Sequence, residues 1–108
     1  MAHTEQLNFF KAVFQSFPHF FKNSEALILD VGSLDINGGP HDLVTSKYIG
    51  VDVGPGKNVD LVCPAQLLEF KTGNFDAVIS SECLEHNYFW RETLFNVARM
   101  TREGGLVV

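Results

Sequence analysis

The sequence predicts an α/β fold in which an N-terminal helix precedes a doubly wound, mainly parallel β-sheet. One observation is a series of short apolar segments, separated by glycine and aspartate, that begins after residue 25. Segments that are apolar nearly throughout are typical of parallel strands, because helices cover both faces of such a sheet. Two further observations are helical apolar patterns, one before the first of these segments and one between the last two. At 108 residues the chain can form one small domain.

Residues 1–25 are predicted to form an N-terminal amphipathic helix that covers the sheet. Pro18 interrupts the pattern, so we expect the helix to end near residue 17 and a second turn to follow. A membrane-surface or partner helix is the alternative, but Lys11 and Lys22 are the only lysine or arginine side chains here, and we favour the core position. The apolar side chains recur at alternating steps of three and four: Leu7, Phe10, Phe14, Phe17 and Phe21.

The rest of the chain, residues 26–108, is predicted to form the sheet and the segments that connect its strands. The helical stretch from about residue 88 to 101 has Trp90, Leu94 and Val97 on one face. The shorter connection at 66–74 has room for one or two helical turns. The predicted strands are 26–31, 48–53, 59–62, 75–80 and a fifth that begins at 106.

Glycine and acidic residues lie at the carboxyl ends of the first two predicted strands. Ligands bind at this edge of doubly wound sheets. Asp30 and Gly32 end the first strand, where glycine lets a ligand approach the backbone and a carboxylate accepts hydrogen bonds from an amine or a hydroxyl. Asp52 ends the second strand about 20 residues later, where an acid can accept both hydroxyls of a ribose. These residues predict a ligand of the adenosine type.

Three stretches of the sequence resemble the class I S-adenosylmethionine-dependent methyltransferases, and among them the type 11-like, small-molecule branch. ILDVGSLDINGG is similar to their glycine motif, YIGVDVGPG to their ribose-binding strand, and FDAVISSECLEH followed by ARMTREGGLVV to their fourth and fifth strands. The resemblance covers about residues 26–108 and implies a Rossmann-like, partial seven-stranded methyltransferase fold. It also implies S-adenosylmethionine as the cofactor and methyl transfer to an unknown small-molecule acceptor.

The resemblance implies roles for individual side chains. Asp30 would orient the methionine amino group, Gly32 would let the backbone pass the methionine chain, and Asp52 would bind the ribose hydroxyls. His86 and Glu82 would be the catalytic candidates, as bases for the acceptor, although polar residues at a helix start often only cap or pair. The implied cofactor-binding residues are Asp30, Gly32, Ser33, Asp52, Val53, Ala65 and Ser81.

Two features depart from the family's pattern. Leu34 and Ile36 stand where the second and third glycines usually lie, although some members carry a longer turn of the form GSLDxNG. Pro64 replaces the acid that usually accepts the adenine amino group, which removes a charge-assisted hydrogen bond worth about 1–3 kcal/mol. We therefore expect a weakened affinity for the cofactor.

Other functions stay open at this point. A nicotinamide dinucleotide fold shares the strand, the glycine turn and the ribose acid, but Leu34 occupies the place of the second glycine that its motif requires. A different adenosine-nucleotide binder, or a non-catalytic interaction module derived from a methyltransferase, also fits the altered motif. The final residues, GGLVV, indicate a chain truncated after the fifth strand, whose exposed edge predicts aggregation or a homo-oligomer.

Composition and charge limit the partners and the compartment. The net charge of −5 argues against a broad phosphate-binding surface, so nucleic acid is not an expected partner. No stretch approaches the roughly 18 apolar residues of a membrane span, so no membrane partner is expected. Cys63 and Cys83 lie in separate segments without metal-ligand spacing, which predicts reduced thiols in a cytoplasmic protein and no metal site.

Overall fold

A five-stranded sheet forms the centre of the computed structural model, which describes residues 4–34, 40–80 and 88–108. Its elements are α1 (Thr4–Ser16), α2 (Pro18–Phe21), β1 (Leu27–Val31), β2 (Lys47–Asp52), β3 (Leu61–Val62), β4 (Phe75–Ser80), α3 (Trp90–Met100) and β5 (Thr101–Val107). The strand order is β3-β2-β1-β4-β5, and every neighbouring pair runs parallel. The order reverses between β1 and β4, which confirms the predicted doubly wound α/β sheet.

The strands largely occupy the predicted segments, and the fifth strand differs most. β4 coincides with the predicted 75–80, whereas β5 begins at Thr101 instead of residue 106. Thr101 follows helix α3 directly and pairs with Phe75, but the register then shifts and Leu106 pairs with Ala77. Gly104, between these two pairs, has a left-handed φ of 76°. The Gly-Gly turn therefore forms an irregularity inside β5 instead of a connection before it.

Helices α1 and α2 cover one face of the sheet with phenylalanine side chains. Pro18 occupies the first turn of α2, where its missing N–H needs no partner, so α1 ends just before it as predicted. Phe17 is 37% exposed, but the core position predicted for this segment is confirmed. None of the helices in the described ranges is long and apolar enough to cross a membrane. The buried cluster on this face consists of Phe10, Phe14, Phe20, Phe21, Ile28, Ala77 and Ile79.

Helix α3 packs on the opposite face of the sheet. Of the three apolar residues that the sequence places on one face of this helix, Val97 is buried, whereas Trp90 and Leu94 are 46% and 41% exposed. The helix instead turns Asn96 inward, and its amide donates to the carbonyl oxygens of Ala65 at 2.9 Å and Leu68 at 3.0 Å. These hydrogen bonds to buried carbonyl oxygens hold the Asn96 side of the helix inward. The spacing of apolar residues in the sequence does not reveal such bonds. The buried residues of α3 are Thr93, Asn96, Val97 and Met100.

Asp76 joins several elements at the amino-terminal edge of the sheet. Its carboxylate oxygens accept hydrogen bonds from the Leu27 N–H at 2.7 Å and from Arg102 Nε at 2.6 Å. The guanidinium of Arg102 also lies over the ring of Phe20, 5.4 Å from its centroid. Burial acts to raise the pKa of Asp76, but the bonds from Arg102 and Leu27 outweigh it, and the pKa lies below its ordinary value of 3.8. This ion pair ties β1, β4, β5 and α2 together at the end of the sheet that faces away from the candidate site.

Candidate ligand site at the ends of strands β1 and β2

The register between β1 and β2 places two carboxylates on one face of the sheet with a glycine between them. Asp30 of β1 pairs with Gly50 of β2, and side chains two residues apart on a strand share a face. Gly50 therefore leaves a gap directly beside Asp30, and Tyr48 and Asp52 flank that gap. The two carboxylates are the ones that the sequence pattern singles out, and Tyr48 is an addition from the structure.

Atoms from two neighbouring segments fill the gap at Gly50. A Cβ atom at this position would lie 2.6 Å from Ser33 Oγ and 2.9 Å from Ser33 Cβ, and closer still to the carbonyl oxygen of Asn58. Ser33 Oγ donates to that carbonyl oxygen at 2.7 Å. A glycine is required at position 50 because the turn after β1 and the loop after β2 meet over it.

Asn58 holds the loop after β2 against the glycine turn. Its side-chain amide donates to the carbonyl oxygen of Ser33 and to Tyr48 Oη, both at 3.1 Å. Its φ of 68° is left-handed, a conformation that asparagine adopts more readily than most other residues with a Cβ. Asp60 adds two bonds to β2, because its carboxylate accepts from the Gly50 N–H and its own N–H donates to the Gly50 carbonyl, both at 2.8 Å. The loop is thus fixed to both strands that carry the carboxylates.

Asp30 is buried, with 1% of its surface exposed, and among the described residues one of its two carboxyl oxygens has a hydrogen-bond partner. Tyr48 Oη donates to Oδ2, whereas Oδ1 has no hydrogen-bond partner among the described residues. Burial raises the pKa of Asp30 to about 7, against the hydrogen bond from Tyr48 and the charge of His41, which lower it. Burial also raises the pKa of Tyr48, so its phenol remains a donor. A buried acceptor without a donor is costly, and Oδ1 therefore marks a place for a ligand's donor group.

Asp52 lies at the end of β2, and two backbone N–H groups orient its carboxylate. Oδ2 accepts from the Leu34 N–H at 2.9 Å and Oδ1 from the Val53 N–H at 2.7 Å. The bond to Leu34 crosses to the turn after β1, where Gly32 has a left-handed φ of 80°. A carboxylate has about four acceptor positions, so the half-buried Asp52 keeps capacity for hydroxyl donors. Val53 beside it is 74% exposed and offers apolar surface.

The structure brings together most of the residues that the resemblance implies for the cofactor. Ala65 lies in the turn after β3, whose Val62 pairs with Asp52; its side chain is in the core and its carbonyl oxygen accepts from Asn96. Ser81 and the catalytic candidates Glu82 and His86 lie outside the described residues. Within the ranges that are described, no cluster of histidine, cysteine, aspartate and glutamate could hold a metal ion. The residues at the shared edge are Asp30, Gly32, Ser33, Asp52 and Val53.

Sequence reasoning missed the polar residues that support the two carboxylates. Tyr48 precedes Gly50 by two positions and Asp52 by four, so the strand period alone puts it on their face. Asn58 ends the run Gly-Pro-Gly-Lys-Asn, and asparagine in such a run is a signal for a left-handed residue. The contacts themselves depend on the register of β1 against β2, which no local sequence pattern reports.

Comparison with known sequences adds one match. Residues 19–108 match the profile of a family described as "Methyltransferase domain", which is most of the chain. None of the curated proteins compared with the chain matches it. The family match therefore rests on the profile, and the solved structures described next bear on the fold.

Several solved structures share the fold of this chain. The 1,6-didemethyltoxoflavin-N1-methyltransferase of Burkholderia thailandensis, solved with 1,6-didemethyltoxoflavin and S-adenosylhomocysteine, aligns with a TM-score of 0.68 at 17% identity, over 90% of this chain and 48% of that one. The YcgJ protein of Bacillus subtilis aligns with a TM-score of 0.72 at 21% identity, over 96% of this chain and 50% of that one. The trans-methyltransferase CalH, solved with S-adenosylhomocysteine, gives 0.54 at 18% identity, over 93% and 34%. This chain spans about half the length, or less, of these proteins.

Proposed function

We propose a function from one premise: the chain belongs to the methyltransferase domain family, whose profile matches residues 19–108. The proposed function is S-adenosylmethionine-dependent transfer of a methyl group to a small-molecule acceptor. The observation that carries it is the pair of acidic side chains where the strand order reverses: Asp52 with acceptor capacity, and Asp30 with an oxygen that no described residue satisfies. The Burkholderia protein is solved with a small heterocycle and S-adenosylhomocysteine, which supports the cofactor and the acceptor class.

Asp52 would bind the ribose of the cofactor. Two backbone N–H groups hold its carboxylate in place, so the carboxylate loses little freedom when hydroxyl groups bind to it. Val53 would lie against the adenine ring, because its exposed apolar side chain follows Asp52 directly. Gly32 and Ser33 would let the methionine chain pass the turn after β1, with Gly32 in a conformation that few other residues adopt.

Asp30 would accept a hydrogen bond from the methionine amino group, directly or through a water molecule. The buried Oδ1 atom offers an acceptor in surroundings of low polarity, where a charge-assisted bond is strong. A cationic amino group beside it would favour the ionised carboxyl, which lies close to half-ionised at neutral pH because burial raises its pKa to about 7. Binding of the amino group would therefore release a proton from Asp30.

When bound, S-adenosylmethionine supplies a methyl group on a sulfonium centre, which an acceptor takes by in-line displacement. Such a reaction disperses charge, so alignment of the two partners is the main contribution of the protein. We propose His86 and Glu82 as bases for the acceptor proton and Ser81 as a contact to the methionine end, on the family resemblance. Ala65 would contact the adenine through its backbone, since its side chain lies in the core.

Calorimetric titration with S-adenosylhomocysteine tests the cofactor site. Wild-type protein should bind it saturably, and Asp52→Ala should weaken binding at least about tenfold, because bonds from hydroxyls to a charged acceptor are lost. Glu103→Ala removes an exposed carboxylate of β5 and should leave the Kd unchanged. Far-UV circular dichroism of each variant shows whether it is folded. Folded wild-type protein that does not bind, or an Asp52→Ala variant that binds normally, would contradict the proposed site.

A non-catalytic binding module is the second candidate function. Two departures from the family's pattern favour it: Pro64 in place of the adenine acid and Leu34 in place of the second glycine. A module of this kind would bind S-adenosylhomocysteine in the titration but would transfer no methyl group to any acceptor in a screen with labelled cofactor. Methyl transfer to an acceptor in that screen would show that the chain is an enzyme and not a non-catalytic module. If another adenosine nucleotide bound more tightly than S-adenosylhomocysteine, the chain would be a binding protein for that nucleotide.

The remaining proposals concern organisation, association and location. We propose residues 26–108 as the cofactor-binding domain and residues 1–25 as its helical cover, supported by the phenylalanine cluster that joins them. We propose that copies of the chain associate through the outer edge of β5, where Val107 is 48% exposed. The free thiol of Cys63 fits the proposed cytoplasmic location.

A further inference from the structure

The hydroxyl group of Tyr48 makes two hydrogen bonds with defined directions. It accepts from Asn58 Nδ2 at 3.1 Å, and its single proton is donated to Asp30 Oδ2. Asn58 in turn donates to the carbonyl oxygen of Ser33 at 3.1 Å, so Tyr48 is held from the loop side. The ring of Tyr48 packs against the apolar cluster under α1 and α2. The phenol is thus fixed at both ends before any ligand arrives.

The carboxyl group of Asp30 has two oxygens, and Tyr48 takes one of them. Oδ2 is bonded to Tyr48, and Oδ1 is the buried atom without a partner among the described residues. A carboxyl held at one oxygen by a rigid donor cannot rotate freely about χ2, so the direction of the other oxygen is fixed as well. The neighbouring position on β2 is Gly50, which offers no side chain that could hold Asp30 instead.

We propose that Tyr48 is the positioning residue of the cofactor site, because its hydroxyl fixes Asp30 so that Oδ1 is presented to the amino group of the ligand. The inference rests on the proposed function and adds to it a residue that neither the glycine motif nor the ribose acid identifies. Tyr48 does not touch the cofactor in this proposal. It acts through Asp30.

The charged and titratable groups around Asp30 predict how the effect of Tyr48 on ligand binding depends on pH. Asp52 and Tyr48 face it from β2 and His41 from the turn at 40–43, while Asp60 acts on Tyr48. Burial raises the pKa of Asp30 to about 7, and the bond from Tyr48 lowers it relative to a carboxyl without that donor. Removing the hydroxyl therefore moves the ionisation of Asp30 to a higher pH; it also removes one acceptor of Asn58, which keeps its bond to the Ser33 carbonyl oxygen.

The test compares Tyr48→Phe with wild-type protein in titrations of two ligands across neutral to alkaline pH. S-adenosylhomocysteine carries the amino group, whereas 5′-methylthioadenosine is the same thionucleoside without the amino-acid portion, that is, without both the amino and the carboxylate group. Tyr48→Phe should bind S-adenosylhomocysteine about tenfold more weakly at neutral pH, the scale of one hydrogen bond to a charged group. The difference should narrow as the pH rises, with the profile displaced upward by about one unit. The affinity for 5′-methylthioadenosine should not change.

Tyr88→Phe is the matched control, since Tyr88 is the chain's other tyrosine and is 89% exposed. It should reproduce the wild-type constants and pH profile. Tyr48→Phe overturns the inference if it weakens both ligands alike, if it weakens neither, or if the loss for S-adenosylhomocysteine is equal at every pH. Wild-type protein that binds neither ligand overturns the proposed function and this inference with it.

Discussion

The substitution Gly50→Ala should disrupt the contact between the glycine turn and the loop after β2. The added methyl group would lie 2.6 Å from Ser33 Oγ and 2.9 Å from Ser33 Cβ, and it would also overlap the carbonyl oxygen of Asn58. Neither a backbone carbonyl nor a Cβ atom can rotate away, so β2 and the loop must separate. Overpacking of this kind costs about 1–3 kcal/mol, and loss of the bond between Ser33 Oγ and Asn58 O adds about 1 kcal/mol.

The expected loss is therefore about 2–4 kcal/mol in the free energy of unfolding, which lowers the Tm of a domain of this size by roughly 8 °C or more. Gly54→Ala is the matched control, because a Cβ at Gly54 would meet nothing within 4 Å and its φ is not left-handed. That variant should be unchanged or slightly more stable, by about 0.4–1 kcal/mol, through reduced entropy of the unfolded chain.

Urea unfolding followed by far-UV circular dichroism measures both variants, with the slope m used to check that they unfold in the same way. Titration with S-adenosylhomocysteine then reports on the site. Gly50→Ala should bind more weakly, because the Ser33 and Asn58 contacts hold the segments next to both carboxylates. Equal stability of Gly50→Ala and Gly54→Ala would refute the reasoning, since the two differ only in the space around the new methyl group.

Two further predictions concern acid stability and association. The pKa of Asp76 is held below its unfolded value of 3.8, so its ion pair stabilises the fold above that pH and this contribution is lost as the pH falls through the lower folded value. Asp76→Asn should therefore cost about 1 kcal/mol or less at neutral pH and flatten the acid decline in urea-unfolding experiments; an unchanged acid decline would contradict the ion pair's role. For the proposed edge association, sedimentation equilibrium should give a concentration-dependent dimer for wild-type protein and more monomer for Val107→Lys, which adds a charge at the outer strand; a wild-type protein that stays monomeric at all concentrations contradicts it.

The sequence predicts the sheet well because its signals are local. Apolar runs mark the strands, and the phenylalanine period marks the helix that covers one face, where Phe10 and Phe14 are buried. The apolar face that the sequence shows on α3 is buried at Val97 but exposed at Trp90 and Leu94, whereas Asn96 turns inward and donates to two carbonyl oxygens. Hydrophobic periodicity predicts a helix face only where burial of apolar area decides it.

The same limit applies to the candidate site. Its acidic residues were predictable from the sequence, but the hydrogen bonds that hold them in place were not. Asp30 and Asp52 stand at strand ends, which a strand pattern and a glycine turn can locate. The contacts of Tyr48 and Asn58 with the site depend on the pairing of Asp30 with Gly50, a contact between residues 20 positions apart. A shift of one residue in that register would move Tyr48 and Asp52 to the other face and separate them from Asp30.

The two acidic side chains differ in burial, and the difference suits the ligand proposed for them. Asp30 and Asp52 share a face of the sheet, so two full negative charges there would repel each other, and the charge of Asp52 helps to raise the pKa of Asp30. Asp52 is half-buried, and its carboxyl group accepts two backbone N–H bonds. Asp30 is buried and close to half-protonated at neutral pH, so the free protein avoids a second buried charge. A ligand with neutral hydroxyls and a cationic amine would interact favourably with both groups. Its hydroxyls would donate hydrogen bonds to Asp52, and its amine would favour the ionised form of Asp30. A ligand that is anionic at the same place, such as the pyrophosphate of a dinucleotide, would face two acids and gain neither interaction.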